Sequence, residues 1–189
     1  MIRSFLLLLL FTSLGIFLHE LAHHLFGIPS MVSLSRNWPL VPVTPDNRNV
    51  EIVGTLAGPA TNLLLGYLGL GAYVAIGDES LKSIGYHGGL ANAFVVFIGA
   101  IINLFVDWVS NSYVNDLQEV SKLVGINILV LPAIFIALSV LPLMYFWSKR
   151  ANITQKKVTW ILLLVAAWLI GGISLMLLDT TFHIRFRIV

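Results

Sequence analysis

The chain has 189 residues, of which 58% are hydrophobic and only 11% are charged. Because a soluble domain normally carries about 25% charged residues, this composition indicates a protein that uses the membrane as its solvent. The chain has no cysteine, which excludes disulfides, thiolate catalysis and cysteine-based metal sites. Its 11 basic and 9 acidic residues nearly balance, so nucleic acid is not expected as a partner.

Five apolar stretches are long enough to cross a bilayer as helices, since a hydrocarbon core of about 30 Å needs about 20 mostly apolar residues. They cover residues 5–28, 52–76, 89–108, 125–147 and 158–178. The sequence therefore predicts an all-α multi-pass membrane protein with about five transmembrane helices. The first stretch follows a basic start but lacks a small-residue cleavage site, which favours an uncleaved span. We expect an integral protein of a prokaryotic cell membrane.

The connection after the first stretch has a pattern of its own. From Ser30 to Val50 it alternates apolar and polar residues, beginning at Met31 and Ser33. Alternation with a period of two predicts a short β-hairpin at the membrane surface. Prolines at positions 39, 42 and 45 interrupt each strand-like run, so an irregular loop is an equal alternative.

The end of the first stretch carries the string His19-Glu20-Leu21-Ala22-His23. Residues four apart share one face of a helix, so both imidazoles can reach one ion while Glu20 flanks it. This H-E-x-x-H spacing is typical of zinc metalloproteases, in which the glutamate is the general base. Chance would produce it on the order of 0.003 times in a chain of this composition. The motif predicts one Zn2+ per chain, ligands His19 and His23, and Glu20 as catalytic residue.

Three further histidines are not predicted to bind the ion. His24 faces a different part of the helix from His23, and we interpret it as an interfacial group or as a support for a ligand. His87 and His183 fall in a predicted loop and in the predicted C-terminal tail. Both are therefore expected to be solvated surface histidines.

Two strings together resemble a known family. HELAHHLFGI at 19–28 resembles the first motif of the site-2 protease family of intramembrane zinc metalloproteases, and GTLAGPATNL at 54–63 looks like its A-G-P-x-x-N element. The resemblance implies a three-span catalytic core over 1–125, with two further spans and a tail over 126–189, in a single membrane domain. It also implies that Asn62 binds the substrate backbone or stabilises the oxyanion. The alternative role for Asn62 is a structural hydrogen bond between two helices.

Within the second string, Gly58-Pro59 is expected to break the helix ladder and to let two backbones come close. The activity that the resemblance implies is hydrolysis of a peptide bond within or near a transmembrane segment of another membrane protein. The expected partners are therefore a transmembrane protein substrate and the lipid bilayer.

Topology limits which residue can be the third metal ligand. The first span ends at the site, so the end of the third span lies on the same side of the membrane, and an unbroken helix brings Asp107 to the depth of His19. However, SNS at 110–112 is poor helix material, and a chain that folds back there presents Asp116 instead. We predict Asp116 as the third ligand, with Asp107 as the alternative. The string DLQE at 116–119 also resembles a capping box, which would make Asp116 a helix N-cap.

Two rival functions are considered beside the protease. A di-iron lipid desaturase or hydroxylase would share the histidines at 19, 23 and 24, but it needs several histidine boxes, and the chain has only five histidines in all. A non-catalytic metal-binding membrane scaffold, or pseudoprotease, would not require the carboxylate of Glu20. The sequence therefore favours an intramembrane zinc metalloprotease.

Overall fold

A computed structural model of the chain describes residues 2–26, 48–109, 116–149 and 157–186, without the side chains of 103, 105–109, 157–158 and 175–186. Within these ranges there is no strand, and the regular structure consists of six helices. In chain order they are α1 (Ile2–Leu25), α2 (Arg48–Ala75), α3 (Glu79–Val109), α4 (Asp116–Val124), α5 (Val130–Lys149) and α6 (Lys157–Phe186). The predicted all-α class therefore holds there, and the hairpin predicted over 30–50 lies outside the description except for 48–50, which begin α2.

Four helices of the described chain are long and apolar enough to cross a membrane: α1, α2, α5 and the Glu79–Ile102 part of α3. They match the first four of the five predicted spans. The fifth prediction falls on α6, of which Thr159–Ser174 is apolar, and the remaining side chains of that predicted span lie outside the description. The lipid-facing character of the bundle is clearest on α1, where Leu6, Leu10 and Leu14 are exposed at a spacing of four residues.

The main core joins the last two helices to the first three. Leu8 of α1 and Phe146 of α5 are completely buried, and they pack with Tyr86 of α3 and Trp160 of α6 in one cluster. These aromatic rings meet mostly edge to face, an arrangement that aromatic pairs prefer. A second cluster around Val96, next to the short helix α4, holds the site end of the bundle. The helices of 126–189 therefore pack directly on the predicted catalytic core.

Glycines allow α2 and α3 to pack closely. A Cβ built on Gly69 of α2 would collide with the backbone of Gly89 and would lie 2.8 Å from the carbonyl oxygen of Gly85, both on α3. Small residues at such an interface let two membrane helices approach to backbone contact, which increases their dispersion contacts where no hydrophobic force drives association. The close approach therefore fixes α3 against the second half of α2.

Two of the connections between predicted spans are shorter than predicted, because part of each is helical. The segment 77–88 was predicted as a loop, but α3 begins at Glu79 because the Asp78 carboxylate accepts a hydrogen bond from the Leu81 N–H at 2.9 Å and caps the helix. Likewise, residues 116–124 of the predicted connection after the third span form α4, and the predicted tail is helical as far as Phe186.

The prediction for His87 as a solvated surface residue was also wrong. It lies in α3 and is only 7% exposed. Its Nδ1 donates to the carbonyl oxygen of Ser83 at 2.7 Å, and its ring packs against Tyr86 and Trp160. Burial by a distant helix, which the local sequence does not encode, explains the difference. The side chain of His183 lies outside the description.

The glycine contact between α2 and α3 gives a stability prediction. Gly69→Ala adds a methyl group against backbone atoms that cannot rotate away, so it should destabilise the bundle by about 1–3 kcal/mol. Gly71→Ala, two residues along the same helix, meets no atom within 4 Å and serves as the matched control. Thermal unfolding in detergent, followed by tryptophan fluorescence, should show a lower Tm for the first variant alone. Equal Tm values would contradict the close packing.

Candidate metal centre

The last turns of α1 present His19 and His23 to α2. The ring of His23 is fixed by its backbone partner, because Nδ1 donates its hydrogen to the carbonyl oxygen of Gly54 at 2.9 Å. In the neutral ring the proton is then on Nδ1, and the lone pair of Nε2 points away from Gly54. This Nε2 lies 3.1 Å from Nε2 of His19. Two basic nitrogens are therefore directed at one small volume.

Asp116 completes the cluster from the first residue of α4. Its Oδ2 lies 3.2 Å from Nε2 of His19 and 3.2 Å from Nε2 of His23. Among the described residues, these three form a group that could hold a metal ion. Ligands on a tetrahedral ion with bonds of about 2.0–2.1 Å are about 3.3 Å apart. The three atoms thus already have the spacing of one face of a tetrahedral site.

The ionisation of Asp116 suits this arrangement. Burial of the carboxyl group opposes its ionisation, but when no metal is bound the protonated rings of His19 and His23 outweigh that effect through hydrogen bonds and charge, and they hold the pKa of Asp116 below its usual range. An ionised carboxylate is the form that binds a metal. The donor set is therefore two imidazole nitrogens and one carboxylate oxygen.

The helix α4 is held along its apolar face and at its C-terminal end, which fixes the position of Asp116. Its apolar face, with Leu117 and Val120 buried, packs against α2 and α5. At its end, the Leu123 carbonyl accepts a hydrogen bond from the guanidinium of Arg48, the first residue of α2. Gly125 then ends the helix with a φ of 78°, a conformation that glycine adopts at little cost.

Gly58 forms the wall of the site on α2. A Cβ at this position would collide with Nε2 of His23 and would lie 2.7 Å from Nε2 of His19. The predicted close approach at Gly58-Pro59 is therefore present. The predicted break in the helix is not, because α2 continues through Pro59 to Ala75. A proline removes a single N–H from the ladder, and in a packed membrane helix neighbouring groups compensate for it.

The other predicted site residues take the following places. Glu20 is buried in α1, close enough to His23 for an electrostatic interaction. The amide of Asn62 on α2 lies 3.2 Å from Nδ1 of His19, the nitrogen that faces away from Asp116. His24 is buried rather than interfacial. The alternative ligand Asp107 belongs to α3, and its side chain lies outside the description.

Sequence reasoning missed two polar groups that lie near the ligands. The carbonyl oxygen of Gly54 bonds His23, and Asn92 of α3 has its side-chain oxygen next to Gly15, one turn before His19. A backbone carbonyl carries no sequence signature. For Asn92 a weak signal existed, since a buried amide in an apolar span needs a partner.

Comparison with known proteins adds no assignment. No protein-family model, no curated protein sequence and no solved structure matches this chain. What the site can do must therefore be argued from its own residues.

The ligand set can be tested by metal content. His19→Ala and His23→Ala should each abolish metal retention, because two remaining donors cannot close a tetrahedral site. Asp116→Ala should lower retention strongly and Asp107→Ala should leave it unchanged. Metal per chain is measured by mass spectrometry after purification and dialysis. Loss at position 107 with retention at position 116 would show that Asp107 is the third ligand.

Gly58 gives an independent test of the geometry. Gly58→Ala should weaken metal binding by about 10–100-fold, the range for changes directly beside ligands, because its methyl group displaces both imidazoles. Gly71→Ala, on the exposed part of the same helix, is the control for the change in helix propensity. A competition titration with a chromophoric chelator measures the metal affinity of both variants. Unchanged affinity in the Gly58 variant would contradict the contact between Gly58 and the imidazoles.

Proposed function

We propose that this chain is an intramembrane zinc metalloprotease that hydrolyses peptide bonds in or near transmembrane segments of other membrane proteins. The single observation that supports the proposal most strongly is the convergence of His19, His23 and Asp116, with the buried Glu20 next to them in an apolar bundle. The strings around His19 and Asn62 resemble those of the site-2 protease family, and this resemblance of the chain points to the same activity.

The donor set supports zinc among the biological metals. Two imidazoles and one carboxylate are a frequent ligand set for catalytic zinc, which keeps its fourth position open. Calcium and magnesium prefer oxygen ligands alone. Non-haem iron is also held by two histidines and one carboxylate, but a glutamate directly after the first histidine, as at Glu20, is the general base of the zinc metalloprotease motif. Zinc, when bound, supplies a Lewis acid that polarises a carbonyl group and activates water.

Glu20 supplies the proton transfer. Its carboxylate takes a proton from the attacking water as the new carbon–oxygen bond forms, and it returns that proton to the amine as the carbon–nitrogen bond breaks. Burial of Glu20 within the bundle removes competing water and strengthens such interactions. Asp116 remains an acceptor throughout, and Gly54 keeps the ring of His23 in the orientation that it needs.

The exposure of the ligands indicates where a substrate approaches. The side chain of His23 is 4% exposed, whereas those of His19 and Asp116 are 19% and 36% exposed. The open side of the site therefore lies between α1 and the start of α4. Since α1 is long and apolar enough to cross a membrane, a peptide that reaches its site end comes from an apolar environment. A segment of a membrane protein fits this requirement better than a soluble peptide.

The test is proteolysis by the purified protein in lipid vesicles, with single-span membrane proteins as substrates. Glu20→Gln should retain zinc but lose cleavage by about 10²–10⁴-fold or more, because the amide preserves the shape and loses the base. Glu79→Gln, which removes an exposed glutamate paired with Lys82, is the matched control and should cleave normally. A chelator should stop cleavage and added zinc should restore it.

Two results would contradict the proposal. Cleavage by Glu20→Gln at the rate of the unmodified protein would show that Glu20 is not the base. If the unmodified protein and Glu20→Gln both bind zinc and neither cleaves any substrate, the result would instead favour a membrane scaffold that holds a metal without catalysis.

A further inference from the structure

Behind His19 lie two buried carboxamides that the sequence motifs do not connect. Asn62 of α2 is 1% exposed and Asn92 of α3 is 4% exposed. The side-chain oxygen of each lacks a hydrogen-bond partner. Both oxygens lie within 3.3 Å of the point that a Cβ on Gly15 would occupy, so they face one another across the surface of α1. Two buried carbonyl oxygens without a donor between them are costly.

The orientation of Asn92 is fixed independently. Its Nδ2 donates to the carbonyl oxygen of Gly88 at 2.9 Å, one turn earlier in α3. The oxygen of Asn92 must then be the atom that faces Gly15 and Asn62. It is a buried acceptor without a hydrogen-bond partner.

The orientation of His19 is fixed from the other side. Its Nε2 belongs to the donor cluster with His23 and Asp116, so a neutral ligand ring has its proton on Nδ1. Nδ1 lies 3.2 Å from the side-chain nitrogen assigned to Asn62, which would place one donor against another. The oxygen and nitrogen of an amide are assigned from their hydrogen bonds. Exchanging the two atoms of Asn62 gives Nδ1 of His19 an acceptor and turns the amide nitrogen toward the side of Gly15 on which the oxygen of Asn92 lies.

We propose that Asn62 and Asn92 are positioning residues for the metal ligand His19. The oxygen of Asn62 accepts the Nδ1 hydrogen of His19, and its nitrogen donates to the oxygen of Asn92, which α3 anchors through Gly88. This chain selects the tautomer of His19 that binds metal through Nε2. It rests on the proposed metal site, and Gly15 is required because any Cβ there would collide with the oxygen of Asn92.

Zinc affinity in detergent, from competition with a chelator, is the first readout. Asn62→Leu should weaken binding by about 10–100-fold, as loss of a group that orients a ligand does, and Asn92→Leu should weaken it less. Asn62→Asp keeps an acceptor for Nδ1 and should stay within a few-fold of the unmodified protein. Ser139→Ala, a buried hydroxyl bonded within α5, is the control. Asn62→Asp as weak as Asn62→Leu would overturn the proposal, since the nitrogen would then be the required atom.

The second readout needs no activity. In the zinc-loaded protein a ligand ring that binds through Nε2 has its hydrogen on Nδ1, and ¹⁵N–¹H spectra of the histidine rings show two such signals that appear only when zinc is bound. Both should be protected from exchange with solvent in the unmodified protein and in Asn62→Asp, and one of them should lose its protection in Asn62→Leu at saturating zinc. Two signals that stay protected in Asn62→Leu would overturn the proposal. Absence of proteolysis alone would overturn the proposed function and leave this inference standing.

Discussion

The structure around the site depends on one electrostatic constraint, the convergence of three electron-pair donors on a small volume. Nε2 of His19, Nε2 of His23 and Oδ2 of Asp116 are separated by 3.1–3.2 Å. Lone pairs at such distances repel unless a cation or a shared proton lies between them. Every neighbouring feature maintains this arrangement. Gly58 leaves room for the rings, Gly54 orients one of them, and the packing of α4 holds the carboxylate.

The same constraint explains why the fold places polar groups in apolar helices. An ionisable residue in a membrane span costs several kcal/mol unless it is paired, so a buried Glu20 and three histidines in α1 require compensation. The close packing of α2 against α1 and α3 provides it through backbone carbonyls and amides, which only small residues at the interfaces allow. Precise placement of the donors therefore follows from glycines that contribute no chemistry of their own.

Much of the fold and of the site could be predicted from the sequence. The features that could not be predicted have physical explanations. The helical spans and the facing imidazoles follow from hydropathy and from a spacing of four residues. Topology limited the third ligand to Asp107 or Asp116, and the poor helix material at 110–112 favoured Asp116, which lies beside the two imidazoles. By contrast, the start of α3 was missed because charged residues after Asp78 resemble a loop, although they form a capped first turn. The burial of His87 and the role of Asn92 depend on side chains from distant helices, which local patterns do not encode.

The central claim is that His19, His23 and Asp116 hold one zinc ion, and X-ray absorption at the zinc edge of the purified protein tests it most directly. The account predicts a four-coordinate ion with only nitrogen and oxygen neighbours at about 2.0–2.1 Å, and with the outer-shell scattering of two imidazole rings. In His23→Ala, which should retain no zinc, the signal at the zinc edge should itself be lost. A six-coordinate shell of oxygens, or a spectrum without imidazole scattering in the unmodified protein, would contradict the claim.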